Sequence, residues 1–235
     1  MILEKATSRR SFLKYSSAAA LAAFAFGALN PESLSAKTAF LGLPFDDTKS
    51  AQIDLGKGDT GILNYAYALE QLEAAFYTQV VSTPFGQMTS AERAILTDIR
   101  DHEITHREFL KTALGKKAIP GLQVNFTSIN FNSRESVLGT AKTFEDLGVS
   151  AYNGAGQLLK NANFLLLAGK IVSVEARHAA TIRDLLSPMS TAFAGDDVVD
   201  SNGLDMAKMP AEVLAAAGSF ISTPVTANNL PKPKA

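Results

Sequence analysis

The chain has 235 residues, 46% of them hydrophobic and 19% charged, enough to bury one sizeable core with appendages and too few for two. Its formal net charge is -1, and no Lys/Arg-rich block follows the first fourteen residues, so the charge pattern marks neither nucleic acid nor anionic lipid as a partner. Zero Cys excludes disulfides, thiolate metal sites, iron–sulfur clusters and a cysteine nucleophile, and leaves His and carboxylates as the strong metal ligands.

Residues 1–35 read as an address. Ser8-Arg9-Arg10-Ser11-Phe12-Leu13-Lys14 precedes an Ala-rich apolar run from Ser16 to Leu29, then Asn30-Pro31 and small residues near Ser33 to Ala36, the pattern of a twin-arginine export signal. As a helix the run rises only about 21 Å, short of a hydrocarbon core of about 30 Å, so a cleaved signal is expected rather than an anchor. The expected location is the periplasm or another extracytoplasmic space, with the twin-arginine export machinery as a partner. Cleavage near Ser35 or Ala36 removes four of the 22 basic and two of the 23 acidic residues; 18 then stand against 21, a net of -3. That route moves folded cargo, which has a physical rationale here. A His and carboxylate site meeting metals while unfolded outside the cell would favour copper or zinc by intrinsic affinity, whereas loading inside lets supply choose the metal.

Residues 36–58 mix Gly, Pro, Asp and Lys without period and are expected to form a lead-in loop. A four-helix bundle is expected over 59–187. Asp59 or Thr60 can cap a first helix to about Val81, in which Ile62, Tyr65, Leu69, Leu72, Phe76 and Val80 recur at helical spacing. Thr89 and Glu92 form a capping box that opens a second helix to about Leu114. The short turn between them makes the pair antiparallel. Gly115 to Ser133 is a long connection whose Leu122, Val124 and Phe126 suit an extended path along the bundle. A third helix over about Arg134 to Lys160 and a fourth over about Asn163 to Leu186 follow, with Pro188 closing the last. Two hairpins joined by one long crossover is ferritin-like connectivity, so the fold class is all-α. The extension over 188–235 carries one short helix beginning at Pro210 and no expected chemistry.

Each hairpin repeats one layout. Glu70 is followed seven residues later by Tyr77, with Glu103-Ile104-Thr105-His106 on the partner helix; Glu145 is followed seven later by Tyr152, with Glu175-Ala176-Arg177-His178 on its partner. Residues three apart are neighbours on a helix surface, so a Glu-x-x-His pair can hold one metal together. Four Glu and two His at mid-bundle match the general description of ferritin-like di-iron and di-manganese sites, and four carboxylates balance two divalent ions. The expected metal ligands are therefore Glu70, Glu103, His106, Glu145, Glu175 and His178. Glu73 lies nearly on the face of Glu70, but its counterpart is Gly148 whereas that of Glu70 is Glu145, which favours Glu70. His102 aligns with Val174 and is expected at the surface or behind the ligands. Asp101 and Asp146 are candidates to orient ligand imidazoles or to sit on solvated faces, and Tyr77 and Tyr152 to relay electrons or protons or simply to fill the core. Gly139, Gly148, Gly154 and Gly156 weaken the third helix and suggest close helix packing or a kink after Tyr152.

The segments Ile62 to Glu70, Phe76-Tyr77, Glu103 to His106, Glu145 to Tyr152 and Val174 to His178 resemble the exported ferritin-like family that includes plant desiccation-related proteins, over about residues 55 to 221. The ligand order resembles rubrerythrins and bacterioferritins more remotely. The resemblance implies the fold and the metal site rather than a reaction. The leading expectation for that site is a dinuclear iron or manganese cofactor reacting with a small oxidant, dioxygen or peroxide, of a ferroxidase or peroxide-scavenging type, with Glu70 and Glu145 terminal and Glu103 and Glu175 bridging. The contrasting expectation is a non-enzymatic protein in which metal staples a stress-protective bundle. An iron-storing cage is disfavoured by the long lead-in and tail, and self-association into a homo-oligomer is left open.

Overall fold

A computed structural model describes residues 52–233, so the expected export signal and most of the lead-in lie outside the described residues. Four long helices dominate: α1 (Gly58–Ser82), α2 (Ser90–Leu114), α3 (Arg134–Gly156) and α4 (Ala162–Leu186), followed by the short α5 (Pro210–Ala217). α1 packs chiefly on α2 and α3 on α4, while α1 against α3 joins the two hairpins. The architecture is the expected all-α, ferritin-like bundle.

Local chemistry sets most helix ends. The Thr89 hydroxyl accepts from the Glu92 amide, and the Glu92 carboxylate accepts from the Thr89 amide, so α2 opens on a full capping box. Glu92 also accepts from Arg134 Nε at 2.6 Å, and Arg134 Nη2 donates to the Leu185 carbonyl, which ties the start of α2 to the start of α3 and the end of α4. Two expectations need correcting. Lys57, not Asp59 or Thr60, occupies the cap position of α1 and makes no side-chain cap; the Asp59 carboxylate instead accepts from the amides of Lys160 and Asn161, clamping the α3–α4 turn onto the start of α1. α3 ends at Gly156, earlier than Lys160.

α1 is the central helix. It is buried on nearly all sides, from Ile62 to Val80, because the crossover covers the face that α2 and α3 leave open. Two polar residues seven apart make that cover specific: Asn64 donates to the carbonyls of Leu55 and Lys117 and accepts from the Ile119 amide, and Gln71 accepts from the Leu122 amide at 2.8 Å. Every such buried amide is matched, as burial requires. The crossover then runs extended: Val124 pairs with Ile221 in an antiparallel bridge, and Phe126 packs edge-on and Phe131 tilted against Phe76.

The tail was expected to hold only a short helix, yet it clasps the bundle. Ile53–Asp54 (β1) pairs in parallel with Val225–Thr226 (β2), joining the end of the lead-in to the extension. Arg183, buried on α4, holds Asp146 of α3 and Asp197 of the extension, each through both carboxylate oxygens. The Lys208 amide donates to the Ser150 carbonyl directly over Gly154, where an added Cβ would overlap the Lys208 carbonyl oxygen. Gly154 therefore serves the approach of the extension, and Gly148 leaves room for Glu73, whose Oε1 lies 3.1 Å from where a Cβ would stand. Gly148 thus serves the packing of α1 on α3, whereas Gly154 serves the extension.

Candidate metal centre

α2 and α4 each bury a single stripe. On α2 it comprises Leu96, Ile99, Glu103, Leu110 and Leu114, and on α4 Ile171, Glu175, His178 and Ile182. Charged residues thus occupy the apolar stripe itself, in register with the hydrophobic spacing, and the helices that bury the stripe must bury them too. Glu70, Glu103 and Glu145 are fully buried, Glu175 and His178 nearly so, and the His106 side chain is 13% exposed. An isolated carboxylate at such a place would be prohibitively costly in charged form, so four of them demand positive charge nearby.

The six side chains form two overlapping groups. Glu70, Glu103, His106 and Glu175 make one, Glu103, Glu145, Glu175 and His178 the other, and within each group one ligating atom per residue lies within 4.8 Å of the rest. Glu103 and Glu175 belong to both groups, which is the place of a bridging carboxylate; Glu70 and Glu145 each belong to one. His106 Nδ1 stands 2.8 Å from Glu175 Oε1, 3.6 Å from Glu70 Oε2 and 3.8 Å from Glu103 Oε2. His178 Nδ1 stands 2.8 Å from Glu103 Oε1, 3.2 Å from Glu175 Oε2 and 3.5 Å from Glu145 Oε2. Proximity is not pairing, however. Glu70 Oε2, both oxygens of Glu103, Glu145 Oε2, Glu175 Oε1 and His106 Nδ1 are buried with no aligned hydrogen-bond partner among the described residues. Native proteins rarely leave such atoms unsatisfied. Lone pairs that converge on shared points, instead of meeting donors, fit a cation, and the all oxygen and imidazole donor set suits iron or manganese.

The free oxygens are complemented by two reciprocal bonds. Tyr77 of α1 donates to Glu145 Oε1 of α3 at 2.5 Å, and Tyr152 of α3 donates to Glu70 Oε1 of α1. Each tyrosine thus orients the unshared carboxylate of the other hairpin, a role not expected from the sequence. Burial first, and the neighbouring carboxylates second, push both phenols well above their ordinary pKa.

In the metal-free cluster the charges lean on one another. Burial alone would depress His106 and His178, but the facing carboxylates outweigh it and push both imidazoles up. Glu175 touches both rings and is held down at about 2 despite its burial. Glu103 is raised by burial and by Glu175, and Glu145 is raised chiefly by burial, which the attraction of His178 does not offset.

Around this core the expected supporting residues sort differently. Asp146 grips Arg183 and Asp101 accepts from the Arg100 guanidinium at 2.7 and 2.9 Å, so these contacts leave the ligand imidazoles to other partners. The group behind His178 is His102, with Nδ1 at 2.8 Å from His178 Nε2. Glu73 is buried but belongs to neither ligating group; burial and the four cluster carboxylates raise its pKa well above the ordinary range. It packs against Gly148, its own counterpart in the repeat, so the mismatch between the halves is a contact in space.

A comparison with curated protein sequences finds no match to the chain. A family model described as Ferritin-like domain matches residues 58–188, more than half of the chain and the whole span that supplies the six clustered side chains. With this match, the two antiparallel hairpins and the mid-bundle cluster of carboxylates and imidazoles in agreement, the chain belongs to the ferritin-like domain family.

Proposed function

We propose that the chain is an exported dinuclear iron or manganese protein that reacts with dioxygen or peroxide. Glu70, Glu103, His106, Glu145, Glu175 and His178 would hold the two ions, with Glu103 and Glu175 shared and each histidine serving one ion. The observation that carries this reading is the set of buried, converging ligand atoms on four helices, most of them without an aligned hydrogen bond. Two redox-active ions held there would supply two electrons, which with two protons from solvent take dioxygen to hydrogen peroxide or hydrogen peroxide to two waters. The residues do the rest. Tyr77 and Tyr152 fix the terminal carboxylates, and the apolar stripes of α2 and α4 exclude bulk water, so the site keeps its charge contacts strong. Export rests on the Ser8 to Lys14 motif and the apolar run after it. No helix among the described residues is long and apolar enough to cross a membrane.

Anaerobic loading with ferrous iron, followed by oxygen, tests the reading. The expected result is uptake of about two irons per chain and their rapid oxidation together. Iron that is bound but inert toward both dioxygen and peroxide would leave a metal-stapled structural protein instead.

A further inference from the structure

The repeat predicts two equivalent metal positions, but the surroundings of the two imidazoles differ. Behind His178, the His102 ring is nearly parallel at 11°, with ring centroids 5.1 Å apart and Nδ1 2.8 Å from His178 Nε2. Face-to-face stacking at that separation could not bring two nitrogens so close; the rings lie edge to edge in one plane, joined by an N–H···N hydrogen bond. His102 Nε2 in turn lies 3.9 Å from Asp98 Oδ2. When His178 Nδ1 faces a cation it carries no proton, so Nε2 carries the hydrogen and donates it to His102 Nδ1. His102 then bears its own hydrogen on Nε2, on the side of Asp98. One tautomer of each ring satisfies the bond between them and turns the outer N–H toward the Asp98 carboxylate, and imidazole ligands held in this way are better oriented and more basic.

His106 has no such support. No hydrogen bond to its Nε2 is found among the described residues, and its side chain borders a cavity of about 250 Å³ lined also by Thr105, Phe109, Leu167, Lys170 and Ile171. Position 102 has no counterpart in the other half, where Val174 stands, so the asymmetry is written into the sequence.

We infer that the two metal positions fill in order, the His178 position first and tightly because His102 orients its ligand, the His106 position second and exchangeably beside the cavity. This rests on the dinuclear reading above and deepens it. His102 is a positioning residue: it acts through His178 and touches no ion.

Cobalt(II) titrated into the metal-free full-length chain tests the inference, because its absorption reports ligand environment and its anomalous scattering reports position. The wild type is expected to bind in two resolved steps, and crystals holding one equivalent are expected to show the ion in the His178 position. His102→Leu should weaken the first step by about 10–100-fold and leave the second unchanged. His102→Asn, whose amide oxygen can accept the same hydrogen bond, should restore it. Equal occupancy at one equivalent, first occupancy beside His106, or a leucine variant that weakens both steps alike or neither would overturn the inference while leaving the dinuclear site standing. A wild-type chain that takes up no ion in either position would instead remove the dinuclear reading, and the inference with it. Occupancy in the wild type decides the order even if the leucine variant fails to fold.

Discussion

Two substitutions of the same kind, on the same helix, should move stability in opposite directions. Gly139 and Gly154 both lie inside α3, where alanine is the better helix former by about 0.8–1 kcal/mol. An added Cβ at 139 meets nothing within 4 Å, so Gly139→Ala should realise that gain. At 154 the Cβ would overlap the Lys208 carbonyl oxygen and stand 2.5 Å from its carbon, both backbone atoms that no side-chain rotation can remove. The extension must lift off. It then loses the bond from the Lys208 amide to Ser150 and that from Asn153 to the Met206 carbonyl, about 1 kcal/mol each, or it accepts overpacking strain of about 1–3 kcal/mol. Set against the helix gain, Gly154→Ala should cost about 1 kcal/mol net, and at most about 2 kcal/mol. For a domain of this size each kcal/mol moves the melting temperature by roughly 2–4 °C. Thermal unfolding of the metal-free chain followed by far-ultraviolet circular dichroism should therefore show Gly139→Ala rising by a few degrees and Gly154→Ala falling by a few. Shifts of the same sign would refute the account of the extension as docked on α3 through that glycine.

The reciprocal tyrosines predict paired losses. Tyr77→Phe leaves Glu145 Oε1 buried without its donor and Tyr152→Phe does the same to Glu70, so each should destabilise the metal-free chain by about 1–3 kcal/mol in thermal melts, and unchanged melting in both would remove the orienting role. The imidazoles set a pH dependence. His106 and His178 are raised above 6.5, so their contribution to the metal-free fold is complete below about pH 6.5 and is lost as pH climbs toward the folded values; Glu103 and Glu145, also raised, act in the same sense from about 4.5 upward. Metal ions displace those same protons and bind more tightly as pH rises, so the gap in melting temperature between metal-loaded and metal-free chain should widen from about pH 6 to about pH 9. A gap that stays flat or narrows would contradict the charge balance described for the cluster.

Much of the bundle was legible because its signals are local. The Thr89–Glu92 box, the apolar spacing of α1 and the breaks around Gly115 and Pro188 each act within a few residues, and the ligand pattern declared itself through the repeat. What escaped notice depends on partners far apart in sequence. Asp59 looks like a helix cap, yet it serves amides 101 and 102 residues away. Asp146 looks like a ligand-orienting carboxylate until Arg183 and Asp197 are seen beside it. Gly154 reads as a helix packing site, whereas its neighbour is the backbone of a tail that has no periodicity to announce it.

Symmetry makes the cluster, and the breaks in symmetry are where its two halves can take on different work. The repeat explains why Glu70 pairs with Tyr152 and Glu145 with Tyr77, since an approximate twofold axis through the bundle relates each contact to the other. It gives no reason for His102, which faces His178 where the other half has a valine, or for Glu73, a buried carboxyl that packs against its counterpart Gly148. Both departures carry a cost that an all-apolar residue would avoid: a buried carboxyl must stay protonated or find a cation, and a histidine must keep one tautomer. A bundle needing only to be stapled by two ions gains nothing from making their surroundings unequal. Unequal surroundings suit the proposed redox role, in which one ion would stay while the other comes, goes or changes charge.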